Sequence, residues 1–88
     1  MNIHKELNYA ARERLRYVES VLLFNGRINS GSLMAFFGVS RPTALESIYT
    51  YNQLLGNNDM PFKQGHDFVI PVSKSILTDE VLDGAEQD

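Results

Sequence analysis

The feature that most constrains this chain is a recurrence of apolar residues at helical spacing, with a glycine after each recurrence. In the first quarter of the sequence, five such residues lie three or four positions apart: Leu7, Ala11, Leu15, Val18 and Leu22. This spacing predicts a helix with one buried face from about residue 6 to Phe24. Asn25-Gly26 ends it, because glycine readily adopts the positive φ favoured after the last turn of a helix.

A short second helix is predicted after an extended pair, Arg27-Ile28. Asn29 or Ser30 can cap it by accepting a hydrogen bond from a free N–H group of the first turn. Gly38 follows the helix and permits a tight turn. The residues predicted to face inward are Leu33, Met34 and Phe37.

A third helix is predicted to begin at Ser40, which is a typical N-cap residue. Pro42 falls within its first turn, where the missing N–H group breaks no hydrogen bond of the helix. The run Gly-Asn-Asn at positions 56–58 ends it. Its buried stripe consists of Ala44, Ile48, Tyr51 and Leu55.

Two alternating segments around a glycine turn predict a β-hairpin. Residues 60–63 and 67–70 flank Gln64-Gly65-His66. Pro61 cannot donate a hydrogen bond to a neighbouring strand and therefore belongs at a sheet edge. The resulting order is helix, short strand, helix, tight turn, helix and hairpin. This mainly α arrangement with a small β-hairpin (α+β) is that of a winged helix-turn-helix, with three helices and a wing.

Chain length and composition indicate one small domain. We expect residues 1–75 of the 88 to form it and residues 76–88 to be a short C-terminal segment with an acidic tail. The absence of cysteine excludes disulfides and thiolate catalysis and is typical of a cytoplasmic protein. No apolar run approaches the about 18 residues needed to span a bilayer, so no membrane partner is expected. A domain this small buries only about 60% of its unfolded surface, so a partner subunit would stabilise it and we expect a homodimer.

The charge is unevenly distributed along the chain. The net charge is −3, but residues 79–88 contribute −5 and residues 1–78 therefore carry +2. Residues 1–41 alone carry +3. An acidic tail thus masks a mildly basic body, and the charge of the body is what a phosphate backbone would meet.

The helix-turn-helix brings together residue types that can contact double-stranded DNA. At the start of the third helix, Arg41 can donate two hydrogen bonds to guanine, Thr43 can contact a thymine methyl or a phosphate, and Glu46 can accept from cytosine. Leu45 and Tyr49 are expected to face outward beside them, and the wing adds a basic side chain and a histidine. The full set of candidate DNA contacts is Arg27, Ser40, Arg41, Pro42, Thr43, Leu45, Glu46, Tyr49, Lys63 and His66.

The same stretch resembles a known family. The step Gly26-Arg27-Ile28-Asn29, the helix end Phe37-Gly38-Val39-Ser40 and the opening Arg41-Pro42 resemble the DNA-binding domain of DeoR-like and, more closely, WYL-domain bacterial transcriptional regulators. The resemblance covers about residues 10–72. It implies a homodimeric transcriptional regulator of bacterial or phage origin, usually a repressor, that binds an inverted repeat.

Several of these residues also have a purely structural interpretation. Arg12, Arg14 and Arg16 can follow a phosphate backbone, or Arg16 can pair with Glu13 and Glu19 one helical turn away. Lys63 and His66 lie at a wing tip that contacts DNA or is simply a solvated turn. Four aromatic residues are most simply explained as core: Phe36, Phe37, Phe62 and Phe68.

The sequence offers little for catalysis or metal binding. His4 and His66 have no partners at the spacing of a catalytic or metal site, so we expect neither an enzyme nor a metal or other cofactor.

The rival to a DNA-binding regulator is a winged-helix module that binds a protein partner through the Leu45 and Tyr49 face, or an antagonist that uses the acidic tail. A continuous positive stripe joining Arg27, Arg41 and Lys63 would favour DNA, whereas a patchy or apolar face would favour a protein partner.

Overall fold

Three helices and three short strands make up the part of the chain, residues 9–77, that the computed structural model describes. They are α1 (Tyr9–Asn25), β1 (Arg27–Ile28), α2 (Ser30–Phe37), α3 (Arg41–Leu54), β2 (Phe62–Gln64) and β3 (Asp67–Val69). This order confirms the predicted winged helix-turn-helix. Residues 6–8 of the predicted first helix, His4, and the acidic tail at 79–88 lie outside the described residues.

The three strands form one antiparallel sheet in the order β1-β3-β2. Phe68 is central to its register, since it lies opposite Ile28 on one side and Lys63 on the other. The pair Arg27-Ile28, predicted as a short strand without a partner, is thus the strand that attaches the wing to the helices. β2 is one of the two edge strands, in keeping with Pro61 directly before it.

Local side-chain and backbone geometry explains where the helices begin and end. The side chain of Asn29, rather than that of Ser30, caps α2 by accepting from the N–H group of Ser32 at 2.9 Å. Ser40 caps α3 by accepting from the N–H group of Thr43 at 3.3 Å. Between these helices Gly38 has φ of 68°, and its N–H group donates to the Met34 carbonyl at 2.8 Å. The tight turn therefore depends on a left-handed backbone position.

The core lies where the three helices meet the inner face of the sheet. α1 contributes Leu15, Val18 and Leu22, and α3 contributes Ala44, Ile48 and Tyr51. The predicted apolar stripes of these helices are thus confirmed at those positions, while Leu55 is only half-buried. The other buried apolar residues are Ile28, Leu33, Phe68, Ile70 and Leu77. Among residues 9–77 no helix is long and apolar enough to cross a membrane.

Two of the four phenylalanines assigned to the core are exposed instead, so that assignment was wrong for Phe36 and Phe62. Each has 67% of its surface accessible. Phe36 directly precedes the half-buried Phe37, and a helix turns about 100° per residue, so both cannot face the core. Phe36 instead stacks on Tyr17 of α1, with 4.7 Å between ring centroids. Phe62 lies on the edge strand β2, whose three residues are all exposed.

Candidate nucleic-acid interface

A groove of about 420 Å³ separates the start of α3 from the wing. Arg41 lies on its helix side, and Lys63 and His66 lie on its wing side. All three side chains belong to exposed residues. Its remaining lining comes from Asn29, Ser30, Gly31, Met34, Leu45 and Phe68. The fold therefore brings together three predicted site residues that are up to 25 positions apart in sequence.

The first turn of α3 presents its polar residues to solvent. Arg41, Pro42 and Glu46 are exposed, and Thr43 is half-buried. The Ser40 hydroxyl donates to the Thr43 hydroxyl oxygen at 3.1 Å, in addition to its role as N-cap. Of these predicted contacts, Arg41 and Glu46 have charged groups free to reach beyond the domain, whereas the Ser40 hydroxyl is engaged within it.

Arg27 lies apart from the groove. Its guanidinium is 3.4 Å from one carboxylate oxygen of Asp67, and Asn29 donates to the other at 3.0 Å. Arg27 lines a different groove, beside Tyr17 and Val21 of α1. A single groove therefore joins Arg41 to Lys63, while the Arg27 charge is partly offset by a carboxylate. The structure therefore does not bring Arg27, Arg41 and Lys63 into one site.

Leu45 and Tyr49 do not form the outward apolar face that the sequence suggested, so that expectation was wrong. Both are half-buried and pack against the core. The Tyr49 ring meets the Phe68 ring edge-on, with 5.7 Å between centroids. The reason is the wing, whose strand β3 folds back over this side of α3. The Lys63 ammonium lies 5.5 Å from the centre of the same Phe68 ring, so one buried aromatic contacts both the helix and the wing.

A hydrogen-bonded chain fixes α3 against α1. The Arg14 guanidinium Nε donates to the Ser47 hydroxyl at 3.0 Å, and that hydroxyl donates to the Thr43 carbonyl at 3.1 Å. Ser47 is buried. Arg16 forms the predicted ion pair with Glu13, at 2.9 Å on the surface. Arg14 and Arg16 are therefore engaged in structural contacts within the domain.

Glu19 was expected to pair with Arg16 on the surface, but it is buried, with 5% of its surface accessible. Its carboxylate accepts from the Tyr51 hydroxyl at 2.8 Å and from the N–H groups of Ile76 and Leu77 at 2.7 and 3.2 Å. The Ser75 hydroxyl also donates to it. Burial, together with the Glu19 carboxylate, raises the pKa of the Tyr51 hydroxyl far above its ordinary value, so this donor keeps its proton.

The buried polar residues Glu19, Ser47 and Asn52 were missed because the apolar pattern treats polar residues as exposed. A signal was nevertheless present in the spacing. Glu19 follows Leu15 by four positions, and Ser47 lies between Ala44 and Tyr51 at helical spacing. A polar residue on an apolar stripe needs a buried hydrogen-bond partner.

Within residues 9–77 there is no group of three or more His, Cys, Asp or Glu side chains placed to hold a metal ion.

The capped pair of helices joined at Gly38, the core that seats α3 and the hairpin beside it define a winged helix-turn-helix domain. Comparison with known families gives a more particular assignment. The family model for the BrxR transcriptional regulator winged helix-turn-helix domain matches residues 10–70. The chain belongs to this family.

One known relative is the DNA-binding transcriptional repressor CapW of Stenotrophomonas maltophilia. It is 36% identical to this chain over 53 residues, which is 60% of the chain and 18% of the relative. The match therefore spans less than a fifth of the length of that relative. Together with the family match it confirms the resemblance predicted from the helix-turn-helix residues.

Proposed function

We propose that this domain binds double-stranded DNA in a sequence-specific manner as part of transcriptional regulation. α3 would enter the major groove, and the wing would contact the adjacent backbone. The observation that carries the proposal is the shared groove of Arg41, Lys63 and His66. An arginine on the first turn of a recognition helix can reach base edges, and a lysine on the neighbouring wing can contact phosphates.

Six of the ten predicted contacts divide into three groups under this proposal. Arg41 and Glu46 are the candidates for base contacts, since both are exposed on α3. Lys63 and His66 are the candidates for phosphate contacts. Leu45 and Tyr49 would act mainly by seating the wing against α3, because they are half-buried. The rival role as a protein-binding module loses its proposed apolar face, because Leu45 and Tyr49 are half-buried. The separation of Arg27 from the groove of Arg41 and Lys63 is the one observation that favours this rival.

We further propose that the chain forms a homodimer, which binds an inverted repeat and acts as a repressor. Its proposed location is the cytoplasm, where it would meet the DNA. A single copy offers few cations, and each phosphate contact contributes a counterion-release term to affinity. Two copies related by a two-fold axis double these contacts and match a palindromic site. The repressor role is supported by the relative CapW, which is a repressor. No enzymatic step is proposed.

Fluorescence anisotropy tests the DNA-binding proposal. The full chain would be titrated into a labelled duplex from the DNA upstream of its own gene and into a scrambled duplex, at two salt concentrations. We expect tighter binding to the native duplex and weaker binding at higher salt, because phosphate contacts release counterions. Absence of binding to either duplex at low salt would refute the proposal.

Sedimentation of the complex tests the dimer. Two copies of the chain on a duplex that carries both halves of the repeat, and one copy on a half-site duplex, are expected. One copy on the full repeat would refute the proposed dimer while leaving DNA binding intact.

A further inference from the structure

The buried carboxylate of Glu19 connects three separate parts of the chain. Glu19 lies on α1, the Tyr51 hydroxyl comes from α3, and the remaining donors come from residues 75–77. The segment 75–77 is hereafter called the exit segment, because residues 78–88 continue from it. Nothing in the proposed DNA contacts requires this connection.

A buried carboxylate is stable only while its hydrogen-bond donors stay in place. Four groups donate hydrogen bonds to the Glu19 carboxylate, and the exit segment supplies three of them: two backbone N–H groups and one hydroxyl. If the exit segment moved away from Glu19, the Tyr51 hydroxyl would be the one donor left of these four. The Glu19 carboxylate, beside Val18 and Leu22 on the buried side of α1, would then need water as a replacement donor. Opening the contact between α1 and α3 is one route to that water.

Tyr51 makes this contact relevant to the recognition helix. Its surface is 0% accessible, and it belongs to the same core cluster as Ile48 and Ala44 of the same helix. The Glu19–Tyr51 hydrogen bond therefore acts on the buried side of α3, while Arg41 and Glu46 are exposed on its other surfaces. A shift in how α3 is seated against α1 changes the direction in which those exposed side chains point.

We propose that Glu19 is a positioning residue that couples docking of the exit segment to the seating of α3 for DNA binding. This coupling rests on the proposed function, because what it regulates is DNA binding by α3. Thermodynamic linkage makes the coupling reciprocal: a docked exit segment strengthens DNA binding, and bound DNA stabilises the docked exit segment by the same factor. Whatever follows residue 77 can then change DNA affinity without touching DNA.

Amide hydrogen exchange of the full chain by NMR tests the coupling first without DNA. Tyr51→Phe removes the hydroxyl but keeps the ring, and Tyr49→Phe is the matched control because the Tyr49 ring contacts Phe68 rather than Glu19. Exchange at Ile76 and Leu77 would be compared with exchange at Ile48, a core amide that reports global opening. We expect Tyr51→Phe to speed exchange at Ile76 and Leu77 at least about fivefold relative to Ile48.

The control variant should leave that ratio unchanged. Equal acceleration at Ile76, Leu77 and Ile48 in Tyr51→Phe would show a purely structural role for the hydrogen bond and would overturn the inference. So would unchanged exchange at Ile76 and Leu77.

The second part adds the duplex from the DNA upstream of the gene to the wild-type chain and to Glu19→Gln. Saturating DNA should slow exchange at Ile76 and Leu77 at least about fivefold in the wild type. The slowing should be smaller in Glu19→Gln, because an amide replaces one acceptor oxygen with a donor. DNA binding with unchanged exchange at Ile76 and Leu77 would overturn the inference alone. If the wild type binds no duplex, the proposed function fails, and the inference fails with it.

Discussion

Replacement of Phe68 by leucine should loosen the attachment of the wing to α3. Phe68 is 4% exposed and meets Tyr49 edge-on at 5.7 Å, with the Lys63 ammonium 5.5 Å from its ring centre. An aromatic pair of this kind contributes about 0.5–1.5 kcal/mol beyond buried area, and an exposed cation–π contact adds about 0.5–1 kcal/mol. Leucine keeps much of the apolar volume but loses both terms, so the free energy of unfolding should fall by about 1–2.5 kcal/mol.

Urea denaturation followed by far-UV circular dichroism measures this loss. A domain of 88 residues is expected to have a total stability of about 4–13 kcal/mol, so the predicted change is a substantial part of it. The matched control is Phe62→Leu, the same chemical change at an exposed position of the neighbouring strand. It should change stability by less than about 0.5 kcal/mol. Equal destabilisation by the two substitutions would refute the proposed role of the Phe68 contacts.

Three further predictions concern the turn, a cap and the buried tyrosine. Gly38→Ala should lower the free energy of unfolding by about 1–2 kcal/mol, because φ is 68° there while an added Cβ meets no atom within 4 Å; an unchanged urea midpoint would contradict this. Asn29→Ala should cost about 0.5–2 kcal/mol through the lost cap of α2, whereas thermal unfolding of Ser30→Ala should match the wild type. The raised pKa of Tyr51 means that the folded state favours the protonated hydroxyl, so its contribution is complete below about pH 10 and is lost as pH rises above that value. The loss of stability between pH 10 and 12 should therefore be smaller in Tyr51→Phe, and an identical loss in both proteins would show that Tyr51 does not cause it.

The helices and the wing were predictable because each has a local signal. The caps Asn29 and Ser40, the left-handed Gly38 and the apolar spacing of α1 and α3 all act within a few residues. The pairing of Arg27-Ile28 with the hairpin, which makes the sheet three-stranded, was not predicted. Two residues are too few to show the alternation of apolar and polar side chains that identifies a strand. Their pairing with β3 is a long-range contact that only the fold reveals.

The candidate site was predictable in its residue types but not in its arrangement. Arg41, Lys63 and His66 were identified separately, and the fold places them around one groove. Leu45 and Tyr49 were placed outward because a helix pattern cannot show which side a returning strand will cover. Glu19 was placed on the surface because its buried donors lie 32 to 58 positions away.

The central claim is that Arg41 on α3 reads bases while Lys63 on the wing contacts the backbone. The most direct test is the ratio of affinities for native and scrambled duplexes, measured for the wild type, Arg41→Ala and Lys63→Ala. We predict that Arg41→Ala lowers the native affinity by about 1–3 kcal/mol and shrinks the ratio, whereas Lys63→Ala weakens both duplexes alike and reduces the salt slope by about 1. An unchanged ratio in Arg41→Ala would contradict base readout by this helix.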